Sequence, residues 1–327
     1  MQEMNVIITQ VAVMMILVVI GYLVGKTGYL PENSGSVLSK VAIRITAPSL
    51  ILSSMTSYQF DSKTLSDGIY VGFLGLSFML FSLLAGIAAS RIIKLEGATA
   101  NAFRAHSMFG NVSYLALPLF KNILGDKAVV MAVFFVLSNE LLVWTIGIYL
   151  MNRHKGLSLK GIFRKFINTN TIACVIGLTF ALANLQQYIK GNAVAESAYH
   201  VFYSVFNPLG NCTMPLVMLF IGLSTAENAA GGFVAIFKKP VTLAMSLLKL
   251  ILIPLASFGI FLLLGDYVDP LVKTIVILDL AMPCGAVIVA LSAEYGSDWQ
   301  LATDNVVYTT IISLFTLPIF MMLLNYL

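Results

Sequence analysis

The chain has 327 residues, of which 59% are hydrophobic and only 10% are charged. Soluble domains usually contain about 25% charged residues, so this composition excludes an ordinary globular protein. It also excludes a disordered chain, a collagen-like repeat, a disulfide scaffold and a nucleic-acid-binding protein, because each needs a polar, glycine-periodic, cysteine-dense or basic composition. A membrane protein with several spans remains.

Membrane-spanning helices are predicted where about 20 mainly apolar residues follow one another. Five runs meet this criterion without Asp, Glu, Lys or Arg, and five more contain one or two ionisable or helix-breaking residues. We therefore predict an all-α membrane protein with ten transmembrane helices. In chain order the predicted spans are 4–25, about 35–56, 68–90, about 102–120, about 127–151, 166–189, 197–226, about 238–264, about 271–294 and 305–327.

The distribution of Lys and Arg predicts the orientation of the chain, because short basic loops stay on the cytoplasmic side. With the N-terminus outside, eleven of these residues lie in inner loops and five on the outer side, while Lys40, Arg44 and Lys249 lie inside spans. We therefore predict that both termini lie outside. The basic segment 152–166 is then a cytoplasmic linker that contacts anionic lipid.

The two halves of the chain resemble each other weakly. Residues 46–52 resemble residues 213–219 at an offset of 167, and a second match places Asp126 against Asp298 at an offset of 172. A unit with five spans ends on the side opposite to its start, so a second copy is inserted upside down, and such folds bind substrate near the midplane. The predicted organisation is a first repeat 1–151, a basic linker 152–166 and an inverted second repeat 167–327.

Interrupted helices are predicted in spans 4 and 9. In span 4 residues 110–113, with sequence GNVS, precede Pro118, and in span 9 Pro283 is followed by residues 284–285, with sequence CG. Proline lacks an N–H group and clashes with the carbonyl four residues earlier, and an interrupted helix exposes unpaired N–H groups at a positive end. These interruptions are expected to bind a carboxylate. The alternative is that each proline only kinks its helix.

The predicted substrate site combines the two interruptions with matched positions in spans 2 and 7 and one lysine. Its residues are Asn111, Ser113, Thr46, Thr213, Pro283, Gly285 and Lys249. Pro118 and Pro283 are the predicted helix-breaking residues. No metal site is predicted, because Cys174, Cys212 and Cys284 all fall inside spans, where we expect buried free thiols.

Charged side chains near the centre of a span cost roughly 2.5 to 3.5 kcal/mol on insertion scales, so they are expected to face the interior. Lys249 is predicted to be charged and to pair with Asp279, or with Glu140, when substrate is absent. Asp279, Glu140 and His106 are the candidates for coupling to Na⁺ or H⁺. A structural ion pair without a transport role is the alternative, and Arg44 either faces the interior or snorkels to the inner surface.

The order and spacing of several motifs resemble those of the auxin efflux carrier family, and the resemblance covers essentially the whole chain. The motifs are GYLVGKTGYL at 21–30, ITAP at 45–48, GNVSYLALP at 110–118, Lys249 shortly before Pro254, AMP at 281–283 and EYG at 294–296. The resemblance implies ten spans in two inverted repeats, with crossing helices in spans 4 and 9. It also implies an elevator-type alternation of access, a homodimer and a location in the bacterial inner membrane.

The resemblance bears on the substrate as well. Bacterial relatives are carriers assigned to malonate, malate and similar small carboxylates, plant relatives export auxin, and sodium-coupled bile acid symporters form a more distant branch. Plant exporters have Asn-Pro where this chain has Asn111-Val112, and many bacterial members have Pro-Pro where it has Pro283-Cys284. Auxin is therefore not the expected substrate.

The predicted function is secondary transport of a small organic anion, a mono- or dicarboxylate, by alternating access. No nucleotide-binding motif and no catalytic motif occurs in the sequence, so we do not predict an enzyme. The predicted partners are the carboxylate substrate, membrane lipid and a second copy of the chain, with no nucleic acid and no cofactor other than Na⁺ or H⁺ as a coupling ion. The alternatives are a membrane receptor with the carrier fold, which senses such an anion, and a sodium-coupled symporter of a larger amphipathic acid.

Overall fold

The computed structural model describes residues 2–31, 34–59, 61–152, 168–228 and 239–324. Every regular element within these ranges is helical. In chain order the helices are α1 (Gln2–Thr27), α2 (Ser34–Ser57), α3 (Ser62–Ile92), α4 (Gly97–Met108), α5 (Val112–Leu124), α6 (Asp126–Met151), α7 (Thr169–Leu182), α8 (Leu185–Ile189), α9 (Ala193–Asn211), α10 (Thr213–Asn228), α11 (Pro240–Tyr267), α12 (Pro270–Leu280), α13 (Ala286–Tyr295) and α14 (Trp299–Leu323). The predicted all-α architecture is confirmed for these ranges.

Within the described ranges, six helical stretches are long and apolar enough to cross a membrane. They are α2, α3, α6, α11, α14 and the stretch Ala193–Ala226, which joins α9 to α10. Shorter apolar helices of 10–17 residues are α5, α7, α13 and the Ala12–Thr27 part of α1. A polytopic membrane protein follows from length and composition.

Three helices contain a π-helical turn that ends two residues before a proline. The pairs of turn and proline are Ala42–Thr46 with Pro48, Val112–Ala116 with Pro118, and Leu248–Leu252 with Pro254. A π-helical turn is wider than an α-helical turn, so it accommodates the carbonyl with which the proline ring would clash. The helix therefore continues through each proline, and Pro118 lies inside α5 rather than at an interruption.

The contacts divide the helices into two groups. The first helix group consists of α1, α2 and α7 to α10, and the second helix group consists of α3 to α6 and α11 to α14. Helices within each group pack mainly on one another. The two groups meet chiefly where α2 packs against α6 and where α1 contacts α14.

Glycines allow α1 and α10 to approach each other closely within the first helix group. A Cβ atom on Gly21 would lie 2.4 Å from the carbonyl oxygen of Leu219. A Cβ atom on Gly222 would lie 2.2 Å from the carbonyl oxygen of Val18. Small residues permit such backbone contact between membrane helices. Replacing either glycine with a larger residue would push α1 away from α10.

The three cysteines are free thiols, but they differ in burial. Cys174 and Cys284 are buried, as predicted. Cys212 is exposed because it lies at the junction between α9 and α10, on a helix whose side chains are almost all outside the core. The prediction of a buried thiol is wrong for Cys212.

Candidate functional site

Two helix interruptions lie against each other, one between α4 and α5 and the other between α12 and α13. The backbone N–H of Asn111 donates to the carbonyl of Pro283 at 2.8 Å, and that of Gly285 donates to the carbonyl of Phe109 at 3.1 Å. The two segments run antiparallel at this point. They satisfy each other's backbone groups, which is the condition for irregular backbone within a membrane.

The crossing of these segments requires glycine. A Cβ atom on Gly285 would lie 2.9 Å from the carbonyl oxygen of Gly110. A Cβ atom on Gly110 would lie 3.4 Å from the carbonyl oxygen of Asp279 and 3.5 Å from Nζ of Lys249. The two backbone segments are therefore so close that a larger residue at position 285 would push them apart.

A cavity of about 910 Å³ lies beside the crossing. Asn111, Ser113 and Gly285 line it, so the N-terminal ends of α5 and α13 both face it. The first N–H groups of a helix have no intrahelical partner, and the helix dipole makes this end positive. Two such ends beside one cavity favour a negatively charged ligand.

The cavity lies on one side of the crossing. Its lining comes from the N-terminal halves of α2, α7, α13 and α14, from the C-terminal half of α6, and from α10 between Val217 and Thr225. Beyond the crossing itself, the polar walls include Lys40, Arg44, Tyr114, Asn139, Glu140 and Asn170. Apolar walls are formed by Val217, Phe220, Ile221, Val287 and Val306.

The predicted site residues differ in where the structure places them. Asn111 lines the cavity, and its Oδ1 is buried without a hydrogen-bond partner among the described residues. The carbonyl of Pro283 accepts the Asn111 N–H, and its ring does not line the cavity. Thr46 and Thr213 also do not line the cavity, and their hydroxyls donate to the carbonyls of Ala42 at 3.3 Å and Gly210 at 2.7 Å. Their predicted proximity to substrate has no geometric support.

Lys249 and Asp279 lie behind the crossing, where each is only 1% exposed. The ammonium of Lys249 donates to the carbonyl of Ser107 at 3.5 Å, in the last turn of α4, where the helix dipole favours a cation. Both carboxylate oxygens of Asp279 are buried without a hydrogen-bond partner among the described residues. The predicted Lys249–Asp279 ion pair is therefore not formed, because Lys249 is directed to the end of α4.

His106 is completely buried beside this cluster and does not line the cavity. Its Nδ1 lies 3.3 Å from Nδ2 of Asn305, and its Nε2 is buried without a partner in the described part of the chain. The carbonyl of His106 lies 3.9 Å from the Sγ of Cys284. This histidine is thus linked to the second interruption.

Glu140 lies in the cavity wall and not beside Lys249. Its Oε2 accepts hydrogen bonds from Nε1 of Trp144 at 2.7 Å and from Nδ2 of Asn168 at 2.8 Å. Asn168 caps the N-terminus of α7. In the next turn, Nδ2 of Asn170 donates to the hydroxyl of Tyr114 at 3.2 Å. These bonds join α5 and α6 to the start of α7, and they exclude Glu140 as the partner of Lys249.

Sequence reasoning missed several residues in the cavity wall, mainly Lys40, Tyr114, Asn139 and Asn170. The spacing of the lining residues along α2 indicates Lys40, because they fall at positions 36, 39, 40, 43 and 44. That spacing places them on one helical face. The other residues carry no comparable signal, since single Asn and Tyr side chains are common in membrane helices.

Comparison with known proteins identifies the family of this chain. The profile of the family described as membrane transport protein matches residues 6–163 and 156–321. The chain belongs to this family. The resemblance to the auxin efflux carriers is thereby confirmed at the level of the family.

Two archaeal relatives match almost their full length. An uncharacterized transporter of Methanothermobacter thermautotrophicus is 25% identical over 313 residues, which covers 95% of this chain and 96% of the relative. An uncharacterized transporter of Methanocaldococcus jannaschii is 25% identical over 320 residues, with 94% and 96% covered. The family and both relatives are transporters, so transport rather than catalysis is the expected activity of this membrane protein.

Proposed function

We propose that this transporter is a secondary carrier that moves a small organic anion, a mono- or dicarboxylate, by alternating access. The observation that carries the proposal is the crossing of the two interruptions, which brings the positive ends of α5 and α13 to one cavity. Backbone donors at helix ends bind a carboxylate without a full opposing charge. The anion is therefore able to leave again, as a carrier requires.

The proposal includes ten spans in two inverted repeats, 1–151 and 167–327. In support, α4 with α5 and α12 with α13 each form one interrupted span, and α9 continues into α10 over 34 residues. The spans then correspond as α1 to α7, α2 to α9 with α10, α3 to α11, the two interrupted spans to each other, and α6 to α14. The predicted linker 152–166 lies almost entirely outside the described residues.

The two helix groups support an elevator-type movement. The crossing lies in the second helix group, and the cavity lies between the groups, since α2 and α10 line it from one side and α6, α13 and α14 from the other. We propose that the second helix group slides along the first with its bound anion. With both termini outside, the present cavity faces the cytoplasm. The homodimer and the bacterial inner membrane rest on the family resemblance.

Asp279 is the first candidate for binding a coupling ion, Na⁺ or H⁺. A buried carboxylate without a hydrogen-bond donor is costly, and binding of a cation or a proton would remove that cost. His106 is the second candidate, because it is completely buried and its carbonyl lies beside Cys284 in the second interruption. Glu140 is a weaker candidate, since two donors already bind one of its carboxylate oxygens, Oε2.

The size of the cavity favours one alternative, a sodium-coupled symporter of a larger amphipathic acid. Small-molecule sites usually have volumes of about 300–1,000 Å³, and 910 Å³ is near the upper end of that range. The walls formed by Val217, Phe220 and Val287 would accommodate an apolar body. A small carboxylate would leave room for water.

Uptake into proteoliposomes tests the proposal. Labelled mono- and dicarboxylates and a bile-acid-like amphipathic acid are supplied under a sodium gradient, a proton gradient or no gradient. We expect uptake of a small carboxylate and a loss of at least tenfold in Asn111→Ala. Asn122→Ala, on the same helix α5 but outside the cavity lining, is the matched control and should retain uptake.

Two results would contradict the proposal. If the wild-type protein carries none of the small carboxylates under any gradient, the proposed function is wrong. If a folded Asn111→Ala protein keeps wild-type uptake and affinity, the crossing is not the binding site. Uptake of only the amphipathic acid would favour the alternative.

A further inference from the structure

Two basic residues on α2 face the cavity. Lys40 and Arg44 both line it, and both side chains are exposed. They are four residues apart, so they lie one above the other on the same helical face. Arg44 belongs to the π-helical turn Ala42–Thr46, near the middle of the 24-residue helix α2. Its charge is therefore held at depth in the span and in contact with the cavity.

In the part of the chain that the structure describes, no acidic side chain pairs with the positive charge of this wall. No ion pair joins Lys40 or Arg44 to another described residue. Glu140 is the one acidic residue among the described residues of the lining, and its Oε2 is already bound by Trp144 and Asn168. The cavity thus carries a net positive charge apart from the helix ends at the crossing.

An ionisable residue within a span usually marks a substrate or ion pathway. Resting on the proposed function, we infer that Lys40 and Arg44 form a second anion subsite, which holds the distal negative group of a substrate whose first carboxylate binds at the crossing. The planar guanidinium of Arg44 binds a carboxylate or a phosphate with two parallel hydrogen bonds. Lys40 adds a point charge one turn away.

This subsite selects the class of substrate. A monocarboxylate leaves both basic side chains without a ligand, whereas a dianion satisfies them together with the crossing. Because the two subsites are built on different helices, their separation also favours one length of carbon chain. Val217, Ile221 and Val287 give the same cavity apolar walls, which suit the hydrocarbon part of a dicarboxylate.

Affinity measurements on the purified full-length protein test the inference. Butyrate and succinate are a matched pair that differs by one carboxylate, malonate to adipate vary the spacing, and 3-phosphonopropionate replaces the second carboxylate with a phosphonate. We expect Arg44→Gln to weaken succinate binding about tenfold, as loss of a charged hydrogen bond does, and to leave butyrate binding nearly unchanged. In Arg44→Gln, the affinity should also no longer depend on the length of the carbon chain from malonate to adipate.

Three further variants control the experiment. Arg91→Gln removes an exposed charge from the last turn of α3, outside the cavity lining, and should change neither affinity. Lys40→Gln should weaken succinate selectively, and Arg44→Lys should retain part of the selectivity. If thermal unfolding shows that Arg44→Gln does not fold, Lys40→Gln and Arg44→Lys still test the inference.

The outcomes separate this inference from the proposed function. Equal losses of butyrate and succinate binding in Arg44→Gln, or no loss of either, would overturn the second subsite while binding at the crossing stands. If wild-type protein binds no carboxylate, both fail together. Tighter binding of 3-phosphonopropionate than of succinate, lost in Arg44→Gln, would support the subsite and assign it a phosphate-like group.

Discussion

Gly285→Ala directly tests whether the crossing is the working part of the molecule. The added Cβ atom would lie 2.9 Å from the carbonyl oxygen of Gly110, and neither backbone segment can turn away as a flexible side chain would. Overpacking of this kind typically costs about 1–3 kcal/mol. We expect the free energy of unfolding to fall by that amount, because the segments must separate by a few tenths of an ångström.

The same separation should impair transport. It moves the N-terminal ends of α5 and α13 apart, so a carboxylate is no longer bound by both. If a coupling of about 1–3 kcal/mol is lost from binding, the affinity for substrate falls roughly five- to 150-fold. Proteoliposome uptake measures this loss, and thermal unfolding of the purified protein measures the loss of stability.

Gly259→Ala is the matched control. Gly259 lies in α11, and a Cβ atom there would meet no atom within 4 Å. Alanine in a helix interior is favoured over glycine by about 0.5–1 kcal/mol, so this variant should be slightly more stable and fully active. Wild-type stability and uptake in Gly285→Ala would refute the reasoning about the crossing.

Two further predictions concern the buried charges and the topology. Lys249→Met should abolish or uncouple uptake, because the buried carboxylate of Asp279 loses a neighbouring ammonium. The double variant Lys249→Met with Asp279→Leu should recover thermal stability but not transport. Full coupled transport in this double variant would show that the charges are only structural. In a variant without native cysteines, a cysteine placed at Lys160 should resist an impermeant reagent in intact cells, whereas one at Leu327 should react. The reverse labelling pattern would invert the predicted topology.

The interruptions illustrate what the sequence predicts and what it does not. Glycine, asparagine and proline near residues 110–118 and 283–285 indicate broken helices on local grounds. The exact position of the first interruption was not predictable from Pro118, because a π-helical turn accommodates that proline and the chain leaves the helix earlier. The hydrogen bond from Asn111 to Pro283 joins residues far apart in the chain, and no local signal reports such contacts.

The charged residues show the same limit. Their presence inside spans predicts that they face the interior, and Lys249, Asp279 and Glu140 are all buried. The choice of partner depends on distances that a single sequence does not contain: Lys249 and Asp279 interact electrostatically, but they form no salt bridge among the described residues. For Arg44 both interpretations were open, and the cavity beside α2 decides in favour of an interior position.

The division into two helix groups has a mechanical consequence for the proposed movement. The chain passes between the groups three times, and the shortest passage is residues 58–61, between α2 and α3. The end of α2 is held in the first helix group, because Gln186 donates to the carbonyls of Thr56 and Ser57 at 2.7 and 3.0 Å. An extended chain spans at most about 3.6 Å per residue, so this tether limits the separation of the ends of α2 and α3 to roughly 18 Å. The ends of α2 and α3 must therefore stay within this distance of each other in every state of the proposed movement.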